Sequence, residues 1–194
     1  MIKKANIKPW GPCLVEMFLE TNEIEDVKKL CNKNKLLDRR KFLAGHLEHE
    51  YTIEDSKLNE IIKEYIANYK SICDFYYSNK KNKKLNVNGS WVNFMQKGDF
   101  NPLHFHTECD FSGVLYLDVP NEIEKEAKES INNGTSPGEI QFISGTSIKN
   151  FVTSHTFLPK NGQLFIFPSN LIHMVCPFKS NVERVSVAFN LTWN

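Results

Sequence analysis

The sequence of 194 residues has few cysteines, no excess of charge of either sign and no long apolar run. Its five cysteines are widely spaced without a CxxC pair, which argues against a disulfide framework and a cysteine zinc site. Lys and Arg number 24 and Asp and Glu 23, a balance that disfavours nucleic acid or an anionic membrane as partner. No segment approaches the ~20 apolar residues of a membrane helix, and none follows Lys3 and Lys4 as a secretory signal requires. We therefore expect a cytoplasmic protein with reduced thiols.

The chain is rich in phenylalanine, with 14 residues, and its hydrophobic content of 41% is that of an ordinary globular protein. Its length suits one domain. We assign 1–194 to a single domain, with a helical support region at 1–84 and a mainly β core at 85–194.

The support region contains two predicted helices. Behind Thr52–Asp55, which resembles a capping box, apolar residues recur at helical spacing and predict a helix over 53–77. A second helix is predicted from Asn22 to about Lys35, after a short strand at Cys13–Phe18.

After residue 85, short β-branched and aromatic segments alternate with Gly, Pro and Asn. This punctuation predicts an antiparallel sandwich, jelly roll or barrel with flanking helices. The charged segment 121–133 could be a surface helix or a flexible insert. The predicted strands are 87–96, 103–107, 111–119, 139–143, 163–167, 172–176 and 183–193.

Two of the six histidines, His104 and His106, have the spacing of metal ligands on a strand. Positions i and i+2 of a strand face the same side, so both imidazoles can converge on one ion. The pattern is weak alone, because two surface histidines would look the same. His155, in an apparent loop, has no such pattern around it.

A polar face and a lone arginine strengthen the metal interpretation. In the strand after the histidines, Ser112 and Tyr116 alternate with apolar residues, as expected of a strand that faces a polar cavity. Arg184 lies in an apolar strand, where its charge is costly unless it meets an anion. Ser186 shares its face, and the two side chains can hold a carboxylate.

Together these residues resemble the non-haem Fe(II)/2-oxoglutarate-dependent oxygenases, and most closely a small phage-type family related to prolyl 4-hydroxylases. The resemblance covers about 85–193. It implies a double-stranded β-helix (jelly roll, cupin-like) core and a dioxygenase that uses Fe(II), 2-oxoglutarate and dioxygen to hydroxylate a substrate. A viral origin would place it in the host cytoplasm. The matching segments are Trp91, Asn101–His106, Ser112–Tyr116, Phe167–Ser169, His173 and Arg184–Ser186.

The resemblance also implies a role for individual residues. His104 and His173 would be iron ligands, and Arg184 with Ser186 would hold the distal carboxylate of 2-oxoglutarate. Tyr116 is a further anchor for the co-substrate, and Asn93 a weaker one.

The third iron ligand departs from the family pattern of two histidines and one carboxylate. The carboxylate position is His106 in this chain. Either the site uses three histidines, which we favour from their spacing, or Asp110 supplies a carboxylate from the same side of the strand.

Two other functions remain open at this point. One is a cupin-like three-His metalloenzyme without 2-oxoglutarate, and the other is a non-catalytic jelly-roll binding module. The substrate, a small molecule or a peptidyl residue such as proline, is not specified by any motif. The first 80 residues could line the entrance or form a homodimer surface.

Overall fold

Two antiparallel sheets form the centre of the fold. The computed structural model describes residues 5–9 (backbone only), 11–77, 82–131, 136–145 and 153–194. The larger sheet has the spatial order β1 (Ala5–Pro9), β2 (Cys13–Phe18), β10 (Gln163–Pro168), β7 (Phe111–Asp118), β12 (Arg184–Trp193), β5 (Leu85–Met95), β4 (Glu50–Thr52) and β3 (Leu37–Asp38). The smaller sheet has the order β6 (Asn101–His104), β11 (Ile172–Val175), β8 (Ile140–Ile143) and β9 (Ser154–Phe157).

The seven strands predicted after residue 85 are all present, and six of them lie within two residues of their predicted bounds; β6 ends at His104, three residues before its predicted end. Strands β1, β3, β4 and β9 were not predicted, because short strands depend on pairing with a neighbour more than on their own sequence. His155, expected in a loop, lies in β9. The first 84 residues therefore add strands as well as helices to the fold.

Helix α2 (Asp55–Tyr76) confirms the helix predicted over 53–77. The expected capping box is wrong, since Thr52 belongs to β4 and the helix begins after Glu54. Helix α1 (Thr21–Lys29) is shorter than predicted and is followed by a separate 3-10 turn at Lys33–Lys35.

Helix α3 (Asn121–Glu129) confirms a surface helix in the charged segment 121–133, of which residues 132 and 133 lie outside the described part. No described helix is long and apolar enough to cross a membrane.

The larger sheet separates two apolar cores. Its outer face packs against α2, where Leu58, Ile62 and Tyr65 are buried. Its inner face packs against the smaller sheet through phenylalanines such as Phe142 and Phe165. The alternation of side chains along each strand thus gives one face to the helix and the other to the space between the sheets, where the candidate site lies.

Candidate metal and co-substrate site

Three histidines meet between the sheets. His104 on β6 and His173 on β11 are direct cross-strand partners, and His106 follows β6. The candidate ligand nitrogens of the three lie within 4.8 Å of one another. Their ring centroids are 4.2 Å apart for His104 and His173, 5.4 Å for His104 and His106, and 5.2 Å for His106 and His173. This cluster has the spacing of a metal site.

Backbone carbonyls orient two of these rings. Nδ1 of His104 lies 2.8 Å from the Pro102 carbonyl oxygen, and Nδ1 of His173 lies 2.9 Å from that of Leu171. A carbonyl can only accept, so Nδ1 carries the proton and donates. The lone pair then lies on Nε2, free for an ion, which is the usual arrangement of metal-binding histidines.

The site also keeps the imidazoles neutral. Burial and then the charge of His104 lower the pKa of His106 to about 4. Burial lowers the pKa of His104, and it lowers the pKa of His173 further, with the other two histidines adding to the effect. Neutral imidazoles are the form that binds iron.

Asp110 does not join the cluster. Its Oδ2 accepts a hydrogen bond from the backbone N–H of Trp193 at 3.0 Å. Strand alternation does not carry Asp110 inward, because β6 ends at His104 and the irregular segment that follows includes Glu108, whose φ of 61° is in the left-handed region. Among the described residues, one group of three or more His, Cys, Asp or Glu side chains has the spacing of metal ligands, and it is the three histidines.

Arg184 is a buried cation, and none of the described carboxylates is its partner. It is 2% exposed and donates to the Gly138 carbonyl and the Met95 sulfur, both at 2.7 Å. Its Nε has no hydrogen-bond partner in the part of the chain that the structure describes. Burial lowers the pKa of Arg184, although a guanidinium stays charged in proteins. A bound anion would match both the charge and the unused donor.

A row of polar side chains runs across the larger sheet beside Arg184. Ser186 is the register partner of Asn93 on β5 and of Tyr116 on β7. All three are buried, and the described residues offer no hydrogen-bond partner to Oδ1 of Asn93 or to the hydroxyl of Tyr116. Burial raises the pKa of Tyr116 to about 12, so its hydroxyl keeps its proton and can donate. Arg184 Cζ lies 5.3 Å from the Tyr116 ring centroid.

The row and the histidines line the same cavity, which has a volume of about 710 Å³. That volume can hold a small co-substrate and part of a second molecule. The predicted residues His104, His106, His173, Arg184, Ser186, Tyr116 and Asn93 all line it.

Several cavity residues were missed from sequence. Asn190 lines the cavity with His106 and raises the pKa of that histidine, and its position on the same side of β12 as Arg184 and Ser186 was an available signal. Glu50 lies in a strand too short to be recognised, and its position gave no signal. Trp91, recognised only as part of a motif, stacks on His106 at 5.8 Å between centroids.

Comparison with known proteins identifies the family. The sequence model of a family described as "Putative 2OG-Fe(II) oxygenase" matches residues 89–190. The chain belongs to this family. No curated protein sequence matches the chain significantly.

Solved structures of related enzymes share its fold. A Trichoplax adhaerens prolyl hydroxylase, in complex with a hypoxia inducible factor peptide fragment, has a TM-score of 0.59 and 14% identity over 95% of this chain and 84% of that one. The viral collagen prolyl hydroxylase of Paramecium Bursaria Chlorella virus-1 has a TM-score of 0.57 and 14% sequence identity, and the match covers 92% of this chain and 94% of that one. A Pseudomonas putida prolyl-4-hydroxylase has a TM-score of 0.55 and 17% sequence identity, and the match covers 91% of each chain. The predicted double-stranded β-helix is confirmed.

Membership makes this chain an Fe(II)- and 2-oxoglutarate-dependent oxygenase, and it decides against the metalloenzyme without 2-oxoglutarate and the non-catalytic module. The residues fit these groups. Neutral imidazoles suit iron, and the unpaired Arg184 suits a carboxylate.

Proposed function

We propose that this oxygenase hydroxylates a C–H bond of an amino acid, either prolyl or another residue, or of a small molecule, with release of succinate and CO2. The observation that carries the proposal is the convergence of three neutral histidines with an unpaired buried arginine in one cavity. The bound iron and co-substrate supply the oxidising chemistry. The residues of the chain bind and orient the reactants and keep water from them.

We assign the iron to His104, His106 and His173. Asp110 is excluded from this proposal, because its carboxylate is held at Trp193. A site of three neutral ligands carries one negative charge less than the usual triad of the class, which changes the iron affinity and its redox tuning.

We assign the distal carboxylate of 2-oxoglutarate to Arg184 and Ser186. The free Nε of Arg184 and the hydroxyl of Ser186 can each donate to it. Tyr116 adds a third donor from the neighbouring strand, and the amide of Asn93 lies at the next position of the row.

A substrate that contains an amino acid is supported by two observations. The solved structures compared above are those of prolyl hydroxylases. In addition, Phe42 and Phe105 line the cavity and are 82% and 56% exposed, so the rim offers apolar contact to an incoming chain. We place the enzyme in the cytoplasm and treat the chain as one domain, on the grounds given from its sequence.

The test has two steps. Anaerobic addition of Fe(II) and 2-oxoglutarate should produce a visible charge-transfer band. Succinate release is then measured with a panel of free amino acids, peptides and nucleosides. We expect one amino-acid class to stimulate release and Arg184→Ala to abolish it. A wild-type chain that gives no band, or an Arg184→Ala variant with unchanged turnover, would contradict the proposed function.

A further inference from the structure

Besides the Tyr116 hydroxyl, two buried oxygen atoms of the described cavity residues have no hydrogen-bond donor. They are Oε2 of Glu50 on β4 and Oδ1 of Asn93 on β5. Both residues line the cavity, and they are 2% and 5% exposed. A buried acceptor is normally paired, so these two indicate that a ligand supplies the donors.

The sheet register places the two acceptors side by side. Glu50 and Asn93 are direct partners in the β4–β5 pair, and Asn93 is followed by Ser186 and Tyr116 in the polar row. Directly opposite residues of antiparallel strands have Cβ atoms about 4.5–5.5 Å apart and project from one face. The two oxygens therefore lie at the end of the row that is farther from Tyr116.

2-Oxoglutarate cannot pair with these oxygens. It has acceptors only, and its two negative charges would repel an ionised Glu50. Among the described residues, no cation forms an ion pair with the Glu50 carboxylate: Arg39, whose backbone N–H donates to the Glu50 carbonyl, lines the same cavity, but its side-chain Nε has no partner. Burial and the nearby carboxylates of Asp99 and Asp38 raise the pKa of Glu50 to about 7, against an opposing effect of Arg40. A cation that carries N–H groups would meet both the charge and the unused acceptors.

We propose that the substrate of this oxygenase presents a primary or secondary ammonium group to Glu50 and Asn93. This inference rests on the proposed function and names its substrate class. The carbon skeleton of the amine can contact Phe42 and Leu37, which are exposed on the cavity rim. A peptidyl proline nitrogen has neither a charge nor a proton, so an amino acid with a free amine fits the subsite better.

The test compares a cationic and a neutral probe. n-Butylammonium and n-butanol are titrated by NMR into the full chain, loaded anaerobically with Fe(II) and 2-oxoglutarate. We expect wild type to bind the amine at least tenfold more tightly than the alcohol. Glu50→Gln should lose at least tenfold in amine affinity. Glu48→Gln, which removes an exposed carboxylate two positions away, should bind like wild type.

Circular dichroism and thermal melting establish that each variant is folded. Equal binding of the two probes by wild type would overturn the proposal, whether or not Glu50→Gln folds. Unchanged amine affinity in folded Glu50→Gln would overturn it as well. The charge-transfer band is recorded before each titration. Its absence contradicts the proposed function, while the probe titration of the same chain still decides the ammonium subsite.

Discussion

Individual charged and polar residues in the cavity have atoms without a hydrogen-bond partner among the described residues. Arg184 and Glu50 are each 2% exposed, and each has one polar atom without a partner. Burying such groups costs free energy of folding, so they are retained against stability. Buried residues such as these, which destabilise the fold when no ligand is bound, are therefore the best candidates for a role in binding.

Arg184→Gln should raise the KM for 2-oxoglutarate at least 100-fold. The variant removes the cation that faces the carboxylate together with the charge-assisted hydrogen bond from Nε, and a hydrogen bond of this kind is worth about 1.5–3 kcal/mol. Ser186→Ala removes one neutral donor and should raise the KM about tenfold or less. Steady-state succinate release gives both values, and iron affinity measured in parallel should stay constant. Equal KM values in Arg184→Gln and wild type would rule out the assigned carboxylate site.

The identity of the third ligand can be tested by substitution. His106→Ala should lower iron affinity by about 10–100-fold, whereas His106→Asp, which restores the usual triad, should retain tight binding. Asp110→Asn should leave iron affinity unchanged, because the Asp110 carboxylate is held at Trp193. Iron binding is measured by anaerobic titration. Loss of iron from Asp110→Asn alone would reverse the assignment.

Glu50 should make stability depend on pH. Its pKa of about 7 lies above the ordinary value of a glutamate, because the carboxyl is buried. The folded chain thus binds this proton more tightly than the unfolded chain, so the stability it contributes is full below about pH 4.5 and is lost as the pH rises through about 7. Glu50→Gln should gain on the order of 2 kcal/mol over wild type between about pH 5 and about pH 8. Urea unfolding at both pH values measures this gain, and Glu48→Gln should show none.

Among the elements, β7 shows how close packing places the polar row. Its residues alternate between the helix side, where Leu115 and Leu117 are buried, and the cavity side, where Tyr116 lies. Gly113 is the register partner of Phe189 on β12. A Cβ at Gly113 would lie 2.3 Å from the Phe189 ring, so only glycine lets the aromatic ring cross the strand there.

Gly113→Ala should therefore destabilise the fold by about 1–3 kcal/mol through overpacking. Phe189→Leu creates space at the same point, and the double variant should be more stable than the sum of the single effects predicts. Chemical denaturation of the four proteins completes the cycle. Strictly additive effects would show that the two side chains do not compete for one volume.

The sequence predicted the elements whose pattern is long. α2 and β12 carry many apolar residues at one period, so both were recognised nearly to their ends. β4 has three residues and is stabilised by pairing with β5, which no local pattern reveals. The ammonium subsite was invisible for the same reason, because Glu50 reaches the cavity only through that pairing.

Over the whole molecule, the candidate site was predictable where residue type and parity sufficed. His104, His173 and Arg184 come from three strands and line one cavity, and their residue types and positions in the sequence predicted this. The expected alternation failed at Asp110, because β6 ends at His104 and the chain between it and β7, which includes the left-handed Glu108, is not a strand. An irregular backbone conformation of one residue cannot be read from an alternation of residue types.

Metal binding should stabilise the whole fold. A ligand at 100 times its Kd stabilises a protein by about 2.7 kcal/mol, which for a domain of this size raises the Tm by roughly 5–10 °C. Mn(II), which does not turn over, should produce this shift in wild type and none in His104→Ala. Differential scanning calorimetry gives both values. A similar shift in the variant would mean that the ion binds elsewhere.

Strand β6 is the edge of the smaller sheet, and its ladder with β11 is interrupted by a register shift just beyond His173. The cross-strand pair His104 and His173 lies beside this register shift, so an ion bound by both histidines would link the edge strand to its neighbour. Iron binding is then coupled to the pairing of β6 with β11, so each should stabilise the other. Amide hydrogen exchange in β6 should therefore be slower in the metal-loaded enzyme than in the metal-free enzyme, and its rate would report the fraction of the enzyme that holds a metal ion.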